Sequence, residues 1–134
     1  MTQREELEKH RRGKQIKYLE HTYQIQTVTW FKLQYPNMPK TLIMINNGTA
    51  TNPKTGARLK SMGLVAGAFD LFLAYPHPKT RCPGLWLEMK TETGIVSKPQ
   101  AEFREEMEDR GYQCKVARSF ELAKGFIEDY IKNG

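Results

Sequence analysis

Two short β-forming runs constrain this chain more than any other feature: Asp70-Leu71-Phe72-Leu73-Ala74-Tyr75 and Gly84-Leu85-Trp86-Leu87-Glu88-Met89-Lys90. Their side chains alternate, and a single pairing sorts them by polarity. Joined by a loop with Pro76, Pro78 and Pro83, they read as an antiparallel hairpin. With Asp70 opposite Glu88, Phe72 meets Trp86, Ala74 meets Gly84, and Leu71, Leu73, Leu85 and Leu87 share the other face. A one-residue slip would turn a carboxylate into the leucine layer, where an unpaired charge is costly. Asp70 and Glu88 are therefore expected side by side at one end of a sheet, with Lys90 two residues beyond Glu88 on the same face.

The rest of the chain supplies what must cover that hairpin. Residues 1–35 read as helix, with Gly13 as an interior breaker able to split it. Residues 4–17 mix Arg4, Lys9, Arg11, Arg12, Lys14 and Lys17 with Glu5, Glu6 and Glu8 and have almost no apolar face. They fit a mobile charged terminus or a phosphate-contacting one. Ile16, Leu19, Tyr23, Val28 and Phe31 suit a helix packed on one side, with Glu20 and Gln24 on a common face. Thr41–Ile45 reads as a first strand ending in an Asn46-Asn47-Gly48 turn. The twenty-odd residues from Asn47 to Gly67 read as a long glycine-containing loop, with a short helix around 57–62 as an option.

Ser97 as N-cap and Gln100 at the third position form a capping box for a helix ending near Gly111. Its Gln100, Phe103 and Met107 lie on one stripe, which turns Gln100 toward the sheet. A strand over Tyr112–Ala117 and a helix capped by Ser119, burying Phe120, Ala123, Ile127 and Tyr130 or Ile131, complete the order α-βββ-α-β-α. This predicts an α/β fold with a mixed central sheet flanked by helices. The 134 residues suit one domain spanning 1–134, with 1–13 as a charged N-terminal extension.

Composition narrows the partners. Lys and Arg total 21 against 15 Asp and Glu, a net charge of +6 with a pI near 9.4, which suits a polyanion such as nucleic acid. The most apolar stretch, Leu64 to Tyr75, is broken by Asp70, and no signal-like apolar segment follows the charged start. A cytoplasmic address without membrane association is expected. Cys82 and Cys114 have no CxxC or Cys/His spacing and are expected as free thiols. His10, His21 and His77 lie in unrelated settings, against a histidine-based site, and Trp30 and Trp86 read as core or interface residues.

Two adjacent carboxylates repel unless a cation sits between them. All-oxygen ligation by Asp70, Glu88 and the Met89 carbonyl favours Mg²⁺ or Mn²⁺, ions that keep waters and accept phosphate oxygens. Lys90 would then orient a water or neutralise charge at phosphorus. The bland account makes Asp70 a turn cap and Glu88–Lys90 a surface ion pair.

The ordered set Glu20, Gln24, Asn46-Asn47-Gly48, Gly63, Gly67-Ala68-Phe69-Asp70, Leu87-Glu88-Met89-Lys90-Thr91, Gly94, Ser97, Gln100 and Gly111-Tyr112 resembles the VRR-NUC nucleases of the PD-(D/E)xK superfamily. The chain departs from that pattern at Phe69, where relatives often carry proline. The resemblance implies a restriction-endonuclease-like core and metal-dependent hydrolysis of DNA phosphodiesters. It makes Asp70 and Glu88 metal ligands, Lys90 the catalytic lysine, and Glu20 and Gln100 supporting active-site residues. Either Gln24 or Gln26 is the helix glutamine facing the site, and periodicity favours Gln24. A Gln100 side chain bonded back to Ser97 is not expected also to hold a water. Compact members look like phage or bacterial repair enzymes, some acting on branched DNA as dimers, so DNA and a second copy of the chain are the expected partners. Phosphate contacts are expected from Lys54, Arg58 and Lys60 and from Arg11, Arg12 and Lys14. The alternatives are a non-catalytic nucleic-acid-binding module on the same fold and a protein-interaction subunit with incidental basic charge.

Overall fold

A computed structural model describes residues 1–45 and 52–132. The elements in chain order are α1 (Gln3–Gln34), β1 (Leu42–Met44), α2 (Pro53–Ser61), β2 (Leu71–Leu73), β3 (Leu85–Met89), α3 (Lys98–Asp109), β4 (Gln113–Ala117) and α4 (Phe120–Lys132). The sheet runs β1-β2-β3-β4, antiparallel across its first two pairings and parallel between β3 and β4. The parallel pair is connected through α3, as a crossover requires. The expected α/β class and mixed sheet are therefore present.

The hairpin adopts the expected register, Leu71 against Leu87, Phe72 against Trp86 and Leu73 against Leu85. Its two faces sort as polarity demands. Leu71, Leu73, Leu85, Leu87 and Met89 are wholly buried in one core with Phe31 of α1 and Ala123, Ile127 and Tyr130 of α4. Phe69, Phe103 and Cys114 form a second core on the α3 side, with Trp86, Met107 and Val116 packed against it. The sheet is thus the middle of three layers. Both cysteines are buried free thiols, and Trp30 and Trp86 sit in aromatic clusters.

Two expectations are corrected. Gly13 does not split the first helix: α1 is continuous, and a Cβ at Gly13 would meet nothing. The charged start of the chain is helical, as expected. The Thr2 hydroxyl accepts from the Glu5 N–H (3.2 Å) and the Glu5 carboxylate accepts from the Thr2 N–H (3.2 Å), a capping box that satisfies two orphan donors. Secondly, the segment expected as a long loop holds α2, longer and earlier than the optional 57–62 helix. Asn52 caps it by accepting from the Thr55 N–H (2.8 Å), and Pro53 occupies the first turn. The observed order is α-β-α-β-β-α-β-α. The Asn46-Asn47-Gly48 turn lies outside the described residues.

The segment leading into β2 is pinned by Gly67. Its φ of +83° is one that L side chains rarely adopt, and a Cβ there would fall 2.3 Å from the carbonyl carbon and oxygen of Pro99 and 2.6 Å from the Gln100 nitrogen. The approach to Asp70 is in this way pressed onto the first turn of α3. Gly63 also has a positive φ, +107°, but open space around it. Gly63→Ala is expected to cost about 1–2 kcal/mol for the left-handed backbone alone. Gly67→Ala is expected to cost more, because the α3 backbone must also move; equal losses in urea unfolding of the two variants would show that this contact contributes nothing.

Candidate active site

Asp70 stands at the end of β2, where the alternation leaves it on the face opposite the leucines. Its backbone carbonyl accepts from the Ile45 N–H (2.8 Å), and its side-chain Oδ2 accepts from the Met89 N–H (2.9 Å). The carboxylate is thereby held against the end of β3. Glu88, one residue earlier on β3, is only 3% exposed. Its Oε2 accepts from Gln100 Nε2 (2.8 Å) and lies 3.6 Å from Lys90 Nζ. Its other oxygen, Oε1, is buried with no hydrogen-bond partner. A half-satisfied buried carboxylate is unusual, because desolvation of each oxygen goes uncompensated.

These contacts overturn the bland account of Glu88 and Lys90. Their side chains are 4% and 12% exposed, so the pair is interior, not a surface ion pair. Burial pushes the Glu88 carboxyl up to about 8, reinforced by the negative charge of Asp70 and opposed by Lys90, with Glu20 adding a further upward push. Glu20, on the inner side of α1, is likewise raised by burial; Lys90 pulls it back and Asp70 pushes it up. α1 therefore delivers a third carboxylate into the electrostatic range of the same site. Gln24 is half-buried while Gln26 is exposed, so the helix presents Gln24 on the Glu20 side.

Gln100 serves cap and site through different atoms. Its Oε1 accepts from the Ser97 N–H (3.0 Å), closing the capping box, while its Nε2 donates to Glu88. An amide carries an acceptor and a donor on opposite arms, and both are used. The cap orients the amide, so the amide can reach only with its nitrogen.

A divalent ion fits the donors present. Among the described residues no three His, Cys, Asp or Glu side chains cluster into a ligand set by themselves. Asp70, Glu88 and the Met89 carbonyl would therefore be completed by water or phosphate, the habit of Mg²⁺.

The six basic residues expected to touch phosphate are not drawn into this cluster. Lys54, Arg58 and Lys60 are exposed on α2, and Arg11, Arg12 and Lys14 on the first half of α1. One cation near the site had no motif to signal it: Arg118, just past β4, whose contacts with the turn after Lys90 emerge only once β4 is paired parallel to β3.

A four-stranded mixed sheet with a carboxylate–lysine cluster at one end defines a nuclease-like α/β domain. A solved structure of a VRR-NUC domain protein superposes on 87% of this chain and 90% of its own, with a TM-score of 0.73 and 25% sequence identity. The chain thus carries a VRR-NUC-type domain, a domain of a nuclease family. No protein-family model matches the sequence, and no curated protein matches it either.

The Glu88 environment has a measurable consequence. An acid whose folded-state value is raised binds its proton more tightly when folded, so its contribution to stability is lost as pH rises from the ordinary 4.5 through about 8. In EDTA, the wild type is expected to lose thermal stability relative to Glu88→Gln across that interval. Parallel Tm–pH curves for the two proteins would show that Glu88 titrates like an exposed carboxylate.

Proposed function

We propose that this domain is a Mg²⁺- or Mn²⁺-dependent deoxyribonuclease, and the observation that carries the proposal is the buried, partnerless Glu88 Oε1 beside Asp70 and Lys90. Asp70, Glu88 and the Met89 carbonyl would hold the ion. Bound there, it would supply charge stabilisation at phosphorus and a more acidic water. The chain's own residues do the rest. The Met89 N–H holds the Asp70 carboxylate against the end of β3, while the Asp70 backbone is tied to Ile45. Gln100 keeps Glu88 Oε2 occupied, which leaves Oε1 as the oxygen for a ligand. Lys90 sits beside the same carboxylate, where its ammonium can meet a phosphoryl oxygen or orient a water. Glu20 adds negative charge that favours a cation in the site.

The exposed bases of α1 and α2 are suited to hold the DNA backbone, as a sequence-independent phosphate contact requires. No helix among the described residues is long and apolar enough to cross a membrane. Selectivity for branched DNA, flaps or junctions, in replication or repair, belongs to this reading. So does a homodimer, because two sites related by symmetry cut two strands symmetrically. Leu7, Tyr18 and Ile25, exposed at spacings that return to one side of α1, offer an apolar stripe for a second copy.

Wild type is expected to cleave plasmid or junction DNA with Mg²⁺ or Mn²⁺ and to stop in EDTA. Asp70→Asn, which keeps an acceptor for the Met89 N–H, and Lys90→Ala are each expected to lose roughly 100-fold or more in rate with folding intact. Undiminished cleavage by Lys90→Ala would refute its role. Salt-dependent binding without any nicking would favour a non-catalytic nucleic-acid module instead. Replacing Arg11, Arg12 and Lys14 together is expected to weaken binding and flatten its salt slope by up to about 3, at 0.9 per lost phosphate contact.

A further inference from the structure

The segment immediately after Lys90 is a tight turn whose carbonyls converge. Gly94 N–H donates to the Thr91 carbonyl (3.2 Å), closing it. Three of its carbonyl oxygens, those of Thr91 (2.7 Å), Gly94 (2.7 Å) and Glu92 (3.3 Å), accept from a single guanidinium nitrogen, Nη1 of Arg118. Backbone carbonyls gathered at one point repel each other unless a donor sits among them, and a charged donor makes the stronger bond. The Thr91 side chain does not hold the turn: its hydroxyl is buried without a hydrogen-bond partner. The Lys90 N–H donates to the Ala117 carbonyl (2.9 Å), which ties the start of the turn to the residue just before Arg118.

This turn is also the wall of the lysine. A Cβ on Gly94 would lie 3.4 Å from Lys90 Cδ and 3.2 Å from Thr91 Oγ1, so the side-chain face of Gly94 is turned to the Lys90 stem and the turn flanks it. A lysine stem has four carbons and many rotamers, and its ammonium is a point charge with no geometry of its own. Its 3.6 Å separation from Glu88 Oε2 is too long to fix its direction alone. What narrows the choice is the wall, and what holds the wall is Arg118.

We propose that Arg118 is a positioning residue for Lys90: by gathering the carbonyls of residues 91, 92 and 94 it fixes the turn that follows Lys90 and flanks the lysine stem. The kinetic consequence rests on the nuclease reading given above, whereas the ordering of Lys90 does not.

The test uses the full chain carrying ¹³C-labelled lysine, as wild type, Arg118→Ala and Arg118→Lys, with Lys90→Ala to identify the Lys90 side-chain signal. In wild type that signal is expected to be ordered and distinct from the exposed lysines. In Arg118→Ala it should move into the mobile envelope while far-UV circular dichroism and the core aromatic signals stay in place. Arg118→Lys should fall between, because its ammonium ends one bond short of the Nη1 position, and this variant decides the matter should the alanine protein not fold. At saturating DNA, kcat of Arg118→Ala should drop roughly 10- to 100-fold with KM little changed, the signature of a misplaced group that acts in the transition state. An unmoved Lys90 signal in both variants overturns the proposal. So does a rate loss that only follows the folded fraction. Absence of cleavage by the wild type would instead remove the nuclease reading, and the Lys90 signal would still decide on Arg118.

Discussion

Every feature of the site follows from the register of β2 on β3. Because Leu71 pairs with Leu87, Asp70, just before β2, falls beside the last residues of β3, and its carboxylate comes within hydrogen-bond reach of the Met89 N–H. Two wholly buried leucines on each strand enforce that pairing, at about 1.5–3 kcal/mol of transfer free energy apiece. Slipping the register by one residue would bring these side chains out of the core and carry carboxylates into it. The apolar layer therefore holds the polar site in place from the other side of the same sheet.

That arrangement buries charge, and the surroundings divide the cost. Glu88 has one oxygen served by Gln100 and Lys90, and the other, near the Asp70 backbone, makes no well-formed hydrogen bond. A fold selected only for stability would have paired both, since a buried acceptor without a donor costs about 1–3 kcal/mol. Strain of this kind gathers where a protein reserves a group for a ligand. The capping box of α3 is part of the same device: Ser97 fixes one arm of Gln100 and so aims the other. Secondary structure and site share a side chain, and the cap cannot change without the site changing with it.

What the sequence made legible was what short-range physics decides. Alternation set the hairpin register and the two core faces, and capping signals placed α3 and α4 with their buried residues. Residues 53–61 were missed because α2 buries no residue fully, so no apolar stripe pointed to it, and its start rests on the local Asn52 cap and Pro53 alone. The two-armed use of Gln100 was hidden because it depends on where Glu88 lies in space. Arg118 was hidden more deeply: only a parallel β3–β4 pairing, with Lys90 bonded to Ala117, sets it against residues 91–94. Pairings between distant segments carry no local pattern.

The two halves of α1 obey different constraints, and on the proposed nuclease reading the contrast would separate recognition from chemistry. From Ile16 onward the helix packs on the core through Thr27 and Phe31 and turns Glu20 toward the carboxylates. Before it, every residue from Met1 to Gln15 is exposed, so nothing but its own hydrogen bonds, the Thr2 cap and side-chain pairs such as Arg4–Glu8 keeps that stretch helical. An isolated helix of that length is marginal in water, yet this one grows from a packed half that has already met the nucleation cost. The result is a basic helical arm about 20 Å long at 1.5 Å per residue, continuous with the half of α1 that carries Glu20. Phosphate held along the arm would be placed at a defined distance from Lys90 without any residue of the arm entering the cluster.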